Sequence, residues 1–184
     1  MKRINITIDA GHGSEAGKDQ GAESRGMKEG IYTLNLSRAL DRELQIRGYN
    51  TTLTRPTDKF VSLGNRVRIS NRNNTDLFVS LHANSYDTLA NGFEVLHYPN
   101  SRKSIKASQA VLDAFAEAYP NLVNRGLKPR RNLFVLRATN SPAILIETQF
   151  LDWTGGALSF FTDCLEIDNQ ARAIADGIDD YFLP

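Results

Sequence analysis

Two residue types in this chain, histidine and glutamate, fall where they could do metal and acid–base chemistry together. His12 lies in the glycine-flanked turn Asp9-Ala10-Gly11-His12-Gly13, just past the first alternating apolar stretch. His82 closes the run LFVSLH, Glu147 stands near the end of AILIET, and Glu29 opens a long helical pattern. Two imidazole nitrogens and a carboxylate oxygen, at roughly 2.0–2.2 Å from a zinc ion, fill three corners of a tetrahedron and leave the fourth for water. A second carboxylate beside that water can accept its proton and deliver it to a leaving amine, which is the equipment of metal-assisted hydrolysis. The glycines around His12 suit a tight turn that brings backbone close to a metal.

Each residue also has a plainer reading. Glu29 alone is a first-turn carboxylate favoured by the helix dipole. A lone histidine is ordinarily a hydrogen-bonded or surface side chain. His97, which alternates with apolar neighbours in FEVLHY, reads as packed or solvent-facing rather than as a ligand. Glu147 follows Ile144-Leu145-Ile146, so it is shielded from water and needs a partner or a raised pKa. Spacing alone leaves the metal site and these separate roles both open.

The elements that must position these residues follow from periodicity. Strands are expected over residues 4–8, 49–54, 77–82, 93–98, 133–136 and 143–148, several of them apolar at consecutive positions as strands covered on both faces are. Tyr32, Leu36, Leu40 and Leu44 recur every fourth residue and stop at Gly48, a helix C-cap. Ile105, Val111, Leu112 and Phe115 mark a second helix, ending before Pro120. Ile167, Ala171, Ile174, Ile178 and Tyr181 mark a third. Shorter helices are expected over about 62–71, with Leu63 and Val67 inward, and within 153–164, with Leu158 and Phe161 inward. Strands alternating with helices predict an α/β fold: one domain over residues 1–184, with a mostly parallel twisted sheet of about six strands and helices on both faces. In such a sheet ligands sit at the carboxyl ends of the strands, so all four chemical residues can face one crevice. The irregular stretches, 13–28, 85–92 and 120–132, are the expected functional loops.

Composition removes several classes. With 184 residues, 41% hydrophobic and 23% charged, the chain can bury a core without disulfides. Its 22 basic residues against 21 acidic give a formal charge of +1 and no basic stripe, so a nucleic-acid partner is not expected. The single cysteine, Cys164, excludes an intrachain disulfide and a multi-cysteine zinc site. Cys164 has no histidine in its neighbourhood and no GxSxG elbow exists, which disfavours a cysteine or serine hydrolase. No apolar run approaches the roughly 20 residues of a membrane span, and Met1-Lys2-Arg3 leads into no secretory signal, so membrane insertion is not expected.

Taken in order, ITIDAGHGS, GMKEGIYTLNLSRAL, LTRPTD with Leu63 and Arg66, LFVSLHANS, GFEVLHY, NRGLK and LFVLRATNSPAILIETQFL resemble the zinc-dependent N-acetylmuramoyl-L-alanine amidases of bacterial cell-wall turnover, sporulation and phage lysis. The likeness covers nearly the whole chain. It implies one zinc ion per chain held by His12, Glu29 and His82, with Glu147 as the catalytic carboxylate. It also implies hydrolysis, at the wall outside the cytoplasm, of the peptidoglycan amide between N-acetylmuramic acid and L-alanine. Competing readings are a zinc exopeptidase or carboxypeptidase, a class that often has two metals and needs more acidic and histidine ligands, and a wall-binding module with a degenerate site, against which all four positions are filled.

The likeness frames secondary roles and departures as well. Asp9 either bonds a ligand imidazole or stabilises its turn. Asn84 either binds substrate or caps the loop after His82, Arg137 contacts a peptide carboxylate or is a surface residue, and Arg66 forms a structural ion pair. Ser14 stands where the family often has glycine. Asp152-Trp153-Thr154 replaces a small residue followed by asparagine, which affects contacts to the glycan there. Some division amidases insert a blocking helix after the strand corresponding to FEVLHY, released by an activator. Here only residues 99–103 precede the next helix, so a monomer with no obligatory activator is expected.

Overall fold

The structure, a computed structural model, describes residues 3–13, 15, 18–156 and 158–182, so Ser14 lies outside the described residues. The chain opens with strand β1 (Asn5–Ala10) and a small hairpin, β2 (Glu23–Ser24) and β3 (Met27–Lys28). Helix α1 (Glu29–Ile46), β4 (Asn50–Leu53), α2 (Leu63–Arg72), β5 (Leu77–Asn84) and β6 (Phe93–His97) follow. Then come α3 (Arg102–Ala118), β7 (Asn124–Pro129), α4 (Phe134–Ala138), β8 (Ala143–Phe150), α5 (Ser159–Thr162) and α6 (Cys164–Phe182). Six strands form one sheet in the order β4-β1-β5-β8-β6-β7, parallel except where β6 pairs antiparallel with β8. The expected α/β architecture is present.

Alternation within the strands divides the core. Ile6, Ile8, Leu77, Val79, Ile144 and Ile146 turn to one face, where they meet Leu36 and Leu40 of α1, Val111 and Phe115 of α3, and Ile174 and Ile178 of α6. Phe78, Ala143 and Leu145 turn to the other and meet Val67 of α2 with Val135 and Leu136 of α4. Both faces are covered by helices, which is why the central strands read as continuous apolar runs.

Local signals set the helix ends. Gly48 has φ +90°, its N–H donates to Gln45 O at 3.0 Å, and the Tyr49 N–H donates to Leu44 O at 3.0 Å. That left-handed closure of α1 is open to glycine at no steric cost. The hydroxyl of Ser62 accepts from the Asn65 N–H and starts α2.

Three expectations need correction. Residues 133–136 are not a strand: Leu133 precedes α4, whose Val135 and Leu136 are buried. A four-residue apolar run fits a buried helix turn as well as a strand, and here the turn won. The sixth strand is β7, NRGLKP, which lacks an apolar face because it is an edge strand with solvent beside it. Leu63 and Leu158 are exposed, at 52% and 44%, the first opening α2 and the second immediately preceding α5, while their partners Val67 and Phe161 do face inward. His97 is buried in β6, at the end of the sheet away from the carboxyl ends of β5 and β8, and its Nδ1 meets Tyr98 O at 3.1 Å.

Candidate metal centre

The parallel register of β1, β5 and β8 brings the candidate residues to one end of the sheet. Ala10 pairs with Leu81, and His82 pairs with Glu147, so His12, His82 and Glu147 all emerge at carboxyl ends. Glu29 is delivered by the first turn of α1, where no side chain caps the helix. Its carboxylate is engaged elsewhere: Oε2 accepts from Ala22 N–H at 2.9 Å and Oε1 accepts from Ala83 N–H at 3.1 Å. His82 Nδ1 lies 3.0 Å from Glu29 Oε1 and His12 Nε2 lies 3.3 Å from the same oxygen. One ligand atom from each of His12, Glu29 and His82 falls within 4.8 Å of the others. Among the described residues no second group of this kind accompanies it.

Two glycines leave room for this cluster. A Cβ on Gly11 would come within 2.5 Å of the His82 ring, and one on Gly21 within 2.6 Å of Glu29 Oε2 and 2.8 Å of the His12 ring. His12 itself adopts φ +57°, a left-handed conformation that costs a non-glycine residue on the order of 1 kcal/mol or more. Its backbone is held there by arginine. Arg66 Nη2 donates to His12 O at 2.6 Å, and its Nη1 donates to Asp9 Oδ1 at 2.7 Å and to Ala10 O. Arg55, 1% exposed, donates from Nε to Ala10 O and from Nη2 to Gly11 O, each at 2.9 Å. These bonds satisfy carbonyls of a turn that has no ladder of its own.

The electrostatics follow. Burial works against charge on Glu29, yet the His12 and His82 imidazoles hold its carboxyl well below the usual range. Burial opposes protonation of His12, but Glu29 and Asp19 outweigh it and lift the ring to about 9. Glu147 is the opposite case: burial first, helped by Glu29 and Glu94, raises it to about 7 against the pull of His82. Its Oε2 is buried with no hydrogen-bond partner among the described residues. A carboxyl that titrates near neutrality with a free oxygen is suited to taking up and releasing a proton.

The secondary assignments resolve as follows. Arg66 forms the expected ion pair, with Asp9. Asp9 bonds no imidazole: its carboxylate accepts from Arg66, Thr54 and Ser80 at 2.6–2.7 Å, a buried knot beneath the turn. The imidazole partner is Asp19, whose Oδ1 lies 2.5 Å from His12 Nδ1. Asn84 accepts from the Ser85 N–H at 2.9 Å, so it caps its own loop. Arg137 lines a cavity with Tyr98 and Pro142, beside the start of β8 and the end of β6, at the opposite end of the sheet from Glu147. Asp19 and Arg55 escaped the sequence reading. Asp19 sits in an irregular loop without periodicity, and nothing in LTRPTD marks a long cation as buried.

The chain matches a family described as N-acetylmuramoyl-L-alanine amidase over residues 6–180. It is 33% identical over 181 residues to a sporulation-specific N-acetylmuramoyl-L-alanine amidase of Bacillus subtilis, covering 97% of this chain and 68% of that protein. The N-acetylmuramoyl-L-alanine amidase AmiC2 of Nostoc punctiforme superposes with a TM-score of 0.88 at 33% identity, over 97% of this chain and 96% of the other. The CwlD amidase from Clostridioides difficile, solved in complex with the GerS lipoprotein, gives 0.90 at 26% identity, over 97% and 98%. The chain spans between 60% and 68% of the length of the first curated relatives it matches. A match running from residue 6 to residue 180 reaches every strand of the sheet, and the chain belongs to the N-acetylmuramoyl-L-alanine amidase family.

Proposed function

We propose that residues 1–184 form the catalytic domain of a zinc-dependent enzyme that hydrolyses the amide between N-acetylmuramic acid and L-alanine in peptidoglycan, releasing stem peptides from glycan strands. The observation that carries this reading is the donor cluster of His12, Glu29 and His82 beside a carboxylate, Glu147, whose buried Oε2 has no partner among the described residues. The residues fit a zinc ion: two imidazoles and one carboxylate are a common zinc set, and Gly11 and Gly21 keep side chains out of the cluster. Bound by His12, Glu29 and His82, one zinc ion per chain supplies Lewis-acid polarisation of the scissile carbonyl and a more acidic water.

The chain's own groups do the rest. The Asp19 carboxylate can only accept, so it keeps a proton on His12 Nδ1 and leaves Nε2 free to donate its lone pair. Glu147 takes a proton from the attacking water. It returns that proton to the L-alanine nitrogen as the C–N bond breaks, so the amine leaves neutral. The resting position of Glu147 near neutrality suits both halves of the exchange.

The enzyme acts at the cell wall, outside the membrane, as a monomer without an obligatory activator. Support for the last point is local: only residues 98–101 lie between β6 and α3, too few for a blocking helix. No helix among the described residues is long and apolar enough to cross a membrane. The test is digestion of isolated peptidoglycan by the purified zinc-loaded chain alone. New L-alanine amino termini without new reducing sugar ends are expected. New reducing ends, or strict dependence on an added partner of the kind CwlD has in GerS, would overturn the corresponding part of the reading.

A further inference from the structure

The formal charge of +1 conceals a segregation. Residues 95–112 and 118–146 carry eight Lys and Arg and no Asp or Glu, which leaves 14 basic and 21 acidic residues for the rest of the chain. No linear stripe announces this, because the fold gathers the cations from three separate segments. Strand β6 runs antiparallel to β8 and β7 runs parallel to β6, so this pair opens its carboxyl ends at the end of the sheet away from Glu147. Arg102 and Lys103 start α3 just beyond β6, Arg130 and Arg131 follow β7, and Arg137 lies on α4. The Arg130 N–H donates to His97 O at 2.9 Å, which holds the segment after β7 against the last residue of β6.

Arg102, Lys103 and Arg137 line one cavity of about 520 Å³, backed by Asn100, Thr139 and Asn140. All five cations are exposed, and among the described residues none is bonded to a carboxylate. The other three basic residues of these segments are engaged: Lys106 donates to Tyr181 O at 3.3 Å, Lys128 to Arg125 O at 2.6 Å and Arg125 to Glu94 Oε2 at 3.0 Å. Asp76, just before β5, accepts from the Asn5 N–H at 2.9 Å, and Asp179, near the end of α6, is taken by Arg47 and Tyr49. Like charges gathered on one face repel one another, and a polyanion relieves that repulsion.

We infer that this face docks a linear phosphodiester polymer with polyol links, one phosphate seated in the cavity and its neighbours along the polymer meeting Arg130 and Arg131. The cavity lies within the roughly 300–1,000 Å³ of small-molecule sites, room for one repeat unit. Two further cations outside it call for repeated charge rather than a single anion. Four of the five are arginine, whose planar fork pairs with a phosphate through two parallel bonds. The amides of Asn100 and Asn140 suit the polyol hydroxyls between phosphates. Docking on a membrane adds apolar side chains inserted beside the cations, and none of the large exposed apolar residues lines this cavity. The face stands at the opposite end of the sheet from the donor cluster, so it is independent of the amide chemistry, and both can be occupied at once.

The probe is a fluorescently labelled glycerol phosphodiester hexamer titrated into the whole chain and read by anisotropy. Saturable binding is expected, weakening with salt on a log–log slope of about 0.7 for each phosphate neutralised. Arg102→Gln, Lys103→Gln and Arg137→Gln together should weaken binding about tenfold or more and flatten that slope by about two. A second variant, Arg130→Gln with Arg131→Gln, should flatten it too, while Arg172→Gln on α6 should change neither reading. The residues replaced are exposed and unpaired, so urea midpoints should stay at the parent value. No binding at millimolar hexamer, affinity unchanged in both multiple variants, or glycerol phosphate monomer competing as well as the hexamer would overturn the docking face. So would tighter binding to polyglutamate, duplex DNA or phosphatidylglycerol vesicles than to the hexamer. Because binding is read without turnover, a chain that cleaves peptidoglycan yet ignores the hexamer would sink the docking face and leave the amidase reading intact.

Discussion

His12, Glu29, His82 and Glu147 were visible in the sequence because each sits at a recognisable boundary: a glycine turn, a helix start, or a strand end. The residues that make them work were not. Asp19 reaches His12 from a loop with no period, and Gly11, legible as a turn glycine, also leaves space for the His82 ring, which no pattern rule reports. The roles proposed for them give separable outcomes. Glu147→Ala should retain one zinc per chain by metal analysis while turnover on peptidoglycan falls by roughly 10²–10⁴-fold, the usual yield of a positioned acid–base group. His82→Ala should lose the metal itself. Gly11→Ala drives a methyl to within 2.5 Å of the His82 ring and 2.7 Å of Leu81 O, so the ring must move. That variant should bind zinc about 10–100-fold more weakly by competition with a chromogenic chelator, as displacement of an orienting contact does.

At the scale of elements, the strong periods were legible and the weak ones were not. Helices α1, α3 and α6 showed apolar stripes because each buries one face on the sheet. Strand β7 showed nothing, since an edge position asks only for backbone pairing, and the apolar run at 133–136 fits a helical turn as well as a strand. The packing of α6 on α3 rests on a detail that no period reveals. A Cβ on Gly177 would lie 2.4 Å from Val111 Cα and 2.8 Å from Ala110 O, backbone that cannot swing away. Gly177→Ala should therefore destabilise the chain by about 1–3 kcal/mol despite alanine's better helix propensity. Urea unfolding would show this as a lower midpoint with an unchanged slope.

Across the whole molecule, one buried charge pair and its hydroxyl partners tie together β1, β5, α2 and Thr54, just past β4. Burial works to raise the Asp9 carboxyl, but the Arg66 guanidinium and the hydroxyls of Thr54 and Ser80 hold it below its ordinary 3.8. A carboxylate whose pKa is lower in the folded state stabilises the fold at every pH above its unfolded value. It loses that contribution as pH falls through the folded value. Stability measured by urea midpoint should thus hold until about pH 4 and decline below it, and Asp9→Asn, already weaker at neutral pH, should decline less.

The left-handed turn at His12 has one more consequence. What clamps it is a pair of guanidinium groups, Arg55 and Arg66, whose bonds to the turn are made entirely within the chain. A turn held by the chain's own groups should persist without zinc, unlike small zinc domains that collapse once stripped. Dialysis against a chelator should silence the protein while leaving its far-ultraviolet circular dichroism unaltered, and adding stoichiometric zinc back should revive it within the mixing time, with no lag for refolding.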